Sequence, residues 1–425
     1  FKSGDASEQK LTDGGVFHRL WIVNSMMHFP KKIFLLSAAA LLLAGGYATA
    51  QVQLGIDVLQ SQGFGPLKGK RVGLVTNQTG VSSSGVRTRV ILQHAPGVKL
   101  MALYTPEHGL DGIELAGKYV PSRIDKVTGL TAYSLYGPNR KPTPSMLRGI
   151  DVLVYDMQDI GCRSYTYIST MVKCMEAAGE NGIEFVVLDR PNPLGGLRVE
   201  GPPMESKWIS FVGQLPVPYV HGMTAGELAR MANAKGWVKP GCKLQVISMQ
   251  GWQRGMAWTD TGLRWVPTSP NIPRANSPLY YVATGLIGEL AGIETGCGGP
   301  LPFEIVMARG LNAESFVRYL RGQNFPGVSF LPYASGGNQG TQLKIDPHAP
   351  ADLTALGIYI LADINHGVKV FKNSNGEHLN MFYKCYGSES IRTQIESGVP
   401  PGRIVAGWAA GVARFEAERK GYLLY

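Results

Sequence analysis

The sequence predicts an α/β protein: a Rossmann-like doubly wound parallel sheet followed by a second, smaller α/β domain. Short apolar runs recur with helical patterns between them, as buried parallel strands joined by crossovers require. Each run stops abruptly at polar residues. The 54 Gly and 27 Pro among 425 residues suit loop-rich α/β architecture better than a helical bundle.

Residues 1–25 have no periodic pattern and read as upstream, non-native sequence translated in frame. From Met26 the pattern changes: Lys31 and Lys32 precede an apolar run over 33–43, and small residues follow as far as Ala48-Thr49-Ala50. A basic start, a short apolar centre and an A-x-A site predict a secretory signal peptide over 26–50. The run is short for a bilayer span. The expected location is therefore periplasmic or secreted, with no integral membrane association after cleavage.

The remainder divides into a Rossmann-like catalytic domain over 51–275 and a C-terminal α/β domain over 276–425 that closes the cleft. Strands are predicted over 71–75, 99–104, 151–155 and 184–188, all parallel. Residues 85–94 read as the first crossover helix. Thr143-Pro144 predicts a short helix with Pro at its first position. Residues 163–179 place Ile168, Val172, Met175 and Gly179 on one helical face, with Gly182 as the stop. Thr224 and Glu227 form a capping box for a helix over 225–234, which makes Glu227 a cap. A strand over 244–247 follows. Residues 252–278, rich in Pro, Asn, Ser and Trp, are aperiodic and read as a substrate-facing crossover. Helices over 353–366 and 404–419 belong to the second domain. The apolar end, Leu423-Leu424-Tyr425, is expected to be packed.

The formal charge is +10, and residues 1–50 hold five basic and three acidic groups, so the remainder carries +8. That excess suits work near anionic cell-wall polymer and equally suits simple solubility. No Lys/Arg-rich run points to nucleic acid. The five Cys are scattered and odd in number, so at least one thiol is free. No C-x-x-C and no zinc-type spacing is present, so no metal is expected. No G-x-G-x-x-G follows the first strand, and no cofactor is expected.

Ligands of open α/β sheets bind beyond the carboxyl ends of the strands. The runs end at Asn77 and Gln78, at Glu107 and His108, at Asp156, Gln158 and Asp159, and at Asp189, Arg190 and Asn192. Strand polarity alone thus gathers these side chains at one crevice.

Several of these segments resemble one family. Leu74-Val75-Thr76-Asn77-Gln78-Thr79-Gly80, Pro106-Glu107-His108-Gly109, Ser134-Leu135-Tyr136-Gly137 and Asp156-Met157-Gln158-Asp159-Ile160-Gly161 match its pattern. So do the segments 165–171, 188–193 and 221–224, and Ser269-Pro270-Asn271-Ile272-Pro273. The chain is similar to the NamZ/YbbC-type exo-β-N-acetylmuramidases, strongly from Gln51 to Pro273 and more thinly beyond. The resemblance implies a Rossmann-like N-terminal domain, a C-terminal domain and an active site between them. It implies release of terminal N-acetylmuramic acid from peptidoglycan fragments, with Glu107 catalytic. The chain departs in one place. Where the family has Gly-Arg-Gly-Thr before Pro-Phe, this sequence reads Gly296-Cys297-Gly298-Gly299-Pro300-Leu301-Pro302-Phe303, without the basic residue.

The expected roles follow from the chemistry. A glycosidase needs an acid to protonate the leaving oxygen, with a pKa raised by partial burial; Glu107 is the candidate. His108 orients it or bonds the sugar. Asp156 or Asp159 is a second carboxylate or orients substrate, beside Gln158. Arg163 and Arg190 are candidates for the lactyl carboxylate, since Arg binds carboxylates bidentately. Arg190 could instead pair internally with Asp189. Tyr165 and Tyr167 could stack on a sugar, and Asn271 could bond an acetamido group. His221 precedes a capped helix at a predicted strand end, where it could bind substrate, while Glu289 and Glu294 could close the cleft from the second domain. The expected partners are peptidoglycan-derived disaccharides or glycan chain ends. The competing class is a non-catalytic periplasmic binding protein for muropeptides or amino sugars. A metal-dependent amidase or deacetylase lacks a ligand motif.

Overall fold

In the computed structural model the four predicted strands are parallel neighbours. The first sheet comprises β1 (Arg71–Thr76), β2 (Lys99–Thr105), β3 (Arg123–Ile124), β4 (Thr131–Ser134), β5 (Val152–Asp156), β6 (Glu184–Leu188) and β7 (Lys243–Ile247), in the order β3-β4-β2-β1-β5-β6-β7. Only β3 runs antiparallel to its neighbour. The structure describes residues 51–425; the expected signal peptide and the segment before it lie outside them.

Alternation along the strands divides the core into two layers. Val72, Leu74, Val152, Val154, Val186 and Leu188 face α1 (Gly55–Ser61) and α2 (Thr88–Gln93). Val75, Leu153, Tyr155, Phe185 and Val187 face α3 (Thr166–Glu180) and α4 (Ala225–Ala234). Helix α3 lies in the interior, with 11 of its 15 residues buried, so its polar N-terminal residues are held inside the fold. It begins three residues later than the pattern predicts, because the Arg163 N–H donates to the Tyr219 carbonyl (2.8 Å). The capping box of α4 forms as expected, with the Glu227 N–H donating to Thr224 Oγ1 and the Thr224 N–H to Glu227 Oε2. The segment after Thr143 makes turns and no helix, since Gly149, in the left-handed region at φ 77°, redirects the chain toward β5.

The second, smaller lobe has a four-stranded sheet of β8 (Ile293–Glu294), β9 (Ile305–Ala308), β10 (Val328–Ser335) and β11 (Asn338–Ile345), in the order β10-β11-β9-β8. Its strands pair antiparallel throughout. Helices α5 (Ala313–Gly322), α6 (Leu353–Val368), α7 (Gly376–Tyr386), α8 (Ser390–Glu396), α9 (Pro401–Ala406) and α10 (Ala409–Arg419) complete it. The helix predicted over 404–419 is thus two helices, divided around Gly407. The two lobes share one hydrophobic cluster, in which Met171 and Val172 of the first lobe belong with Ile287, Leu356 and Phe382 of the second. Tyr425 is packed edge-on against Trp252, at a centroid distance of 5.1 Å. No helix among the described residues is long and apolar enough to cross a membrane. All five cysteines are free thiols.

Candidate active site

A cleft of about 510 Å³ is bounded by Glu107 and His108 after β2, Tyr136 after β4, Tyr165 and Thr166 at the start of α3, the 269–272 loop, and second-lobe residues that include Tyr281, Glu289 and Phe303. Its origin is local. β2 ends at Thr105, Pro106 turns the chain, and Glu107 follows at the carboxyl edge of the sheet. The Glu107 side chain is held from two directions. The Gly117 N–H donates to Oε1 (2.8 Å) and the Thr166 hydroxyl to Oε2 (2.7 Å). Gly117 is left-handed (φ 73°), a conformation open to glycine at low cost. Burial first, and then the adjacent Glu107 carboxylate, push the Tyr136 phenol well above its ordinary range.

His108 occupies the left-handed region at φ 68°, uncommon for a side-chain-bearing residue. Its Nδ1 lies 2.7 Å from the Glu114 carbonyl. A carbonyl only accepts, so Nδ1 carries the proton and Nε2 is left as the second functional atom. Such backbone conformations are found at ligand sites, and here one lies beside a buried carboxyl group.

The opposite wall is aromatic and acidic. Tyr281 meets Tyr165 edge-on (6.3 Å, 82°) and Phe303 edge-on (5.0 Å, 89°). Burial raises the Glu289 carboxyl above its ordinary range, with His378 opposing. Glu294 and Cys297 also line this wall. Asn271 accepts the Gly298 N–H at 2.9 Å, tying the interlobe loop to the segment that carries Cys297.

Of the residues expected from the sequence, Glu107, His108, Tyr165, Asn271, Glu289 and Glu294 line this cleft. The others do not, and each has a structural occupation. Asp156 is fully buried and accepts from Arg190 Nε (2.5 Å), Arg190 Nη2 (3.0 Å) and the Thr88 hydroxyl. It is an internal counter-ion, and Arg190 pairs with it rather than with Asp189 or a substrate carboxylate. Asp189 instead accepts from the Thr224 hydroxyl, the Gly226 N–H and the Tyr425 hydroxyl. Asn77 accepts from Thr79 within its own turn, and Gln78 donates to the carbonyls of Pro267 and Thr268. Gln158 donates to the carbonyls of Asp159 and Pro191, and Asn192 bridges Met223 and Leu194. Tyr167 donates to the Thr268 carbonyl (2.5 Å). His221 is buried, and its pKa falls to about 3 through burial and nearby Arg419, Arg163 and Arg254, so it is neutral. Asp159 accepts the Gly161 N–H (2.7 Å), and burial raises its pKa to about 7.

Arg163 corrects its expectation most sharply. Its buried guanidinium donates only to carbonyls: Pro202 (3.0 Å) and Val217 (2.5 Å) in the first lobe, and Cys385 (3.4 Å) and Tyr386 at the end of α7. It clamps the lobes together and does not line the cleft. Burial lowers its pKa to about 10. Gly387 makes room for it: a Cβ there would lie 2.7 Å from Arg163 Nη2.

Thr166, Tyr136, Tyr281 and Phe303 were not singled out individually in the sequence. The segments containing Tyr136, Thr166 and Phe303 stand out, but nothing local identifies Tyr281.

A two-lobed α/β fold with one buried carboxyl group, oriented at both oxygens, in an aromatic cleft defines a class of glycosidase-like α/β proteins. Two models of the exo-β-N-acetylmuramidase NamZ match it, the N-terminal one over residues 72–276 and the C-terminal one over 279–425. The chain belongs to this family. It is 42% identical over 387 residues to the peptidoglycan β-N-acetylmuramidase NamZ of Bacillus subtilis (strain 168), covering 88% of this chain and 92% of that protein. Two crystal structures of DUF1343 family proteins from Bacteroides fragilis NCTC 9343 share the fold. One has a TM-score of 0.82 and 43% identity, the other 0.69 and 29%; each alignment covers 88% of this chain and 99% of the other.

Proposed function

We propose that this chain is a glycoside hydrolase that releases terminal β-linked N-acetylmuramic acid from peptidoglycan fragments, as part of cell-wall turnover or recycling outside the cytoplasm. The observation that carries this reading is Glu107: a buried carboxyl group, fixed at both oxygens, on the wall of a cleft large enough for a disaccharide. Family membership supplies the substrate class.

Glu107 transfers the proton to the glycosidic oxygen as the bond to the anomeric carbon breaks. Gly117 and Thr166 fix its direction, and each carboxyl oxygen keeps a further bonding position for the substrate. Water adds to the anomeric carbon and loses a proton that restores the Glu107 acid, giving the free sugar and the shortened glycan. Tyr165, Tyr281 and Phe303 supply apolar faces to sugar rings. Asn271 lies on the same wall, where its amide can meet an acetamido group.

The test is incubation with a disaccharide ending in N-acetylmuramic acid and with its N-acetylglucosamine-ended counterpart, followed by analysis of released sugars. Release from the first alone is expected. Equal release from both would remove the muramic-acid assignment, and no release from either would remove the hydrolase.

A further inference from the structure

The cleft has an electrostatic imbalance that its proposed substrate does not tolerate. Its charged lining comprises Glu107, Glu289 and Glu294, without a Lys or Arg. N-acetylmuramic acid differs from N-acetylglucosamine by an ether-linked lactyl group ending in a carboxylate. Glu294, and Glu107 and Glu289 whenever they are ionised, present like charge to that anion, and no Lys or Arg of the lining offsets it, which disfavours binding unless a cation stands close by. The two arginines expected for this task are committed elsewhere, Arg190 to Asp156 and Arg163 to four carbonyls.

Arg140 is placed differently. Its guanidinium carbon lies 4.5 Å from the Phe211 ring centroid and 5.5 Å from that of Tyr136. Those rings lean against each other at 6.0 Å. Tyr136 itself lines the cleft, as does Val212 beside Phe211. One tyrosine ring therefore separates this cation from the Glu107 carboxylate. Arg140 is exposed, and among the described residues it forms no salt bridge. Stacking occupies the faces of a guanidinium and leaves its N–H edge available, the edge that binds a carboxylate bidentately. It also restricts the side chain before a ligand arrives, so less conformational freedom is lost on binding.

We propose that Arg140, stacked on Phe211 and on the cleft-lining Tyr136, binds the lactyl carboxylate and sets the preference for muramic over glucosamine ends. This rests on the muramidase reading of the same cleft. Arg140 is a specificity residue; it takes no part in proton transfer.

The full chain and the variants R140Q, R140K and F211A are to be compared on 4-nitrophenyl β-N-acetylmuramic acid and on its lactyl methyl ester, which lacks the negative charge. R140Q is expected to raise KM for the acid by about 10- to 100-fold, as loss of a charge-assisted bond does. The acid-over-ester preference should collapse with it. R140K should retain part of that preference, and F211A should erode it by freeing the side chain. Equal KM changes on acid and ester, or no change on either, would overturn the assignment. Calorimetric titration with free N-acetylmuramic acid and N-acetylglucosamine separates this proposal from the hydrolase reading. A preference for the acid sugar that R140Q abolishes supports Arg140 even where no turnover is seen. Absence of that preference in the unaltered chain counts against Arg140, whatever the turnover.

Discussion

The Thr166 hydroxyl, on the first residue of helix α3, donates to Glu107 Oε2 at 2.7 Å. The interior helix and the edge of the sheet thereby meet at one carboxyl group. Tyr165, one residue earlier, donates its own hydroxyl to Thr268 Oγ1 (2.9 Å), so the start of α3 also supports the interlobe loop. Positioning of the carboxyl group is therefore a property of the core.

That arrangement makes Glu107→Gln and Thr166→Val a graded pair. Glu107→Gln should lower kcat by roughly 10²–10⁴-fold, the usual effect of losing an acid–base group. Substrates with good leaving groups should suffer less, because they need little protonation. Thr166→Val keeps the shape and removes one donor to a carboxylate, so a loss of about 10- to 100-fold is expected. Steady-state kinetics alongside thermal melts check both. Full activity in Glu107→Gln would move the chemistry to Glu289 or Glu294.

Asp156 should behave as a stability residue. Its pair with Arg190 is buried on both sides, at 0% and 4% side-chain exposure. Removing one member of a buried pair leaves an uncompensated charge and costs about 3–5 kcal/mol. Asp156→Ala should show this in urea denaturation. Unchanged stability with turnover abolished would instead return Asp156 to the chemistry.

Asp159 gives a pH signature. Its pKa is about 7 in the fold, above the ordinary 3.8, because burial disfavours the charge. Between pH ~4 and ~7 the unfolded chain has released this proton while the folded chain retains it, so the contribution to stability falls as pH rises. His221 works in the opposite direction. Its folded pKa of about 3 lies below the ordinary 6.5, so stability is lost as pH falls from about 6.5 toward 3. The difference in melting temperature between Asp159→Asn and the unaltered chain isolates the first effect. It should grow in favour of the variant from pH 4 to 7 and level off above; a flat difference would contradict the raised pKa.

Export is tested on protein recovered from the native host. If residues 26–50 are a cleaved signal, mass analysis should find a mature start near Gln51. Retention of residues 31–50 would indicate an anchor.

The parallel strands were legible because both faces of β1, β5 and β6 are buried, and that writes a continuous apolar run into the sequence. β3 and β4 were not predicted: β3 is two residues long and exposed, and β4 is four residues long and only partly buried. Strand polarity correctly gathered polar residues at one edge of the sheet but could not show which strand ends stay open. At β5 the edge is closed by Arg190 and at β6 by Thr224 and Tyr425, whereas at β2 it opens into the cleft. Closure by partners 34 and 236 residues away leaves no local pattern. The aromatic wall from the second lobe is nearly as silent: Phe303 is marked only through the Pro-Phe segment of the family, and Tyr281 reads as an ordinary core residue until the lobes meet.

The Arg163 clamp also bears on how the molecule comes apart. Its carbonyl acceptors lie 39 and 54 residues away in one lobe and more than 220 away in the other. Loosening of the second lobe alone would take away two of the four acceptors of this buried cation, a costly state to populate. Partly unfolded forms with one intact lobe are thereby suppressed, and the chain should melt in a single cooperative step despite its two sheets. The same guanidinium ties the lobes to each other, so under the proposed function a ligand is expected to enter a cleft that is already formed.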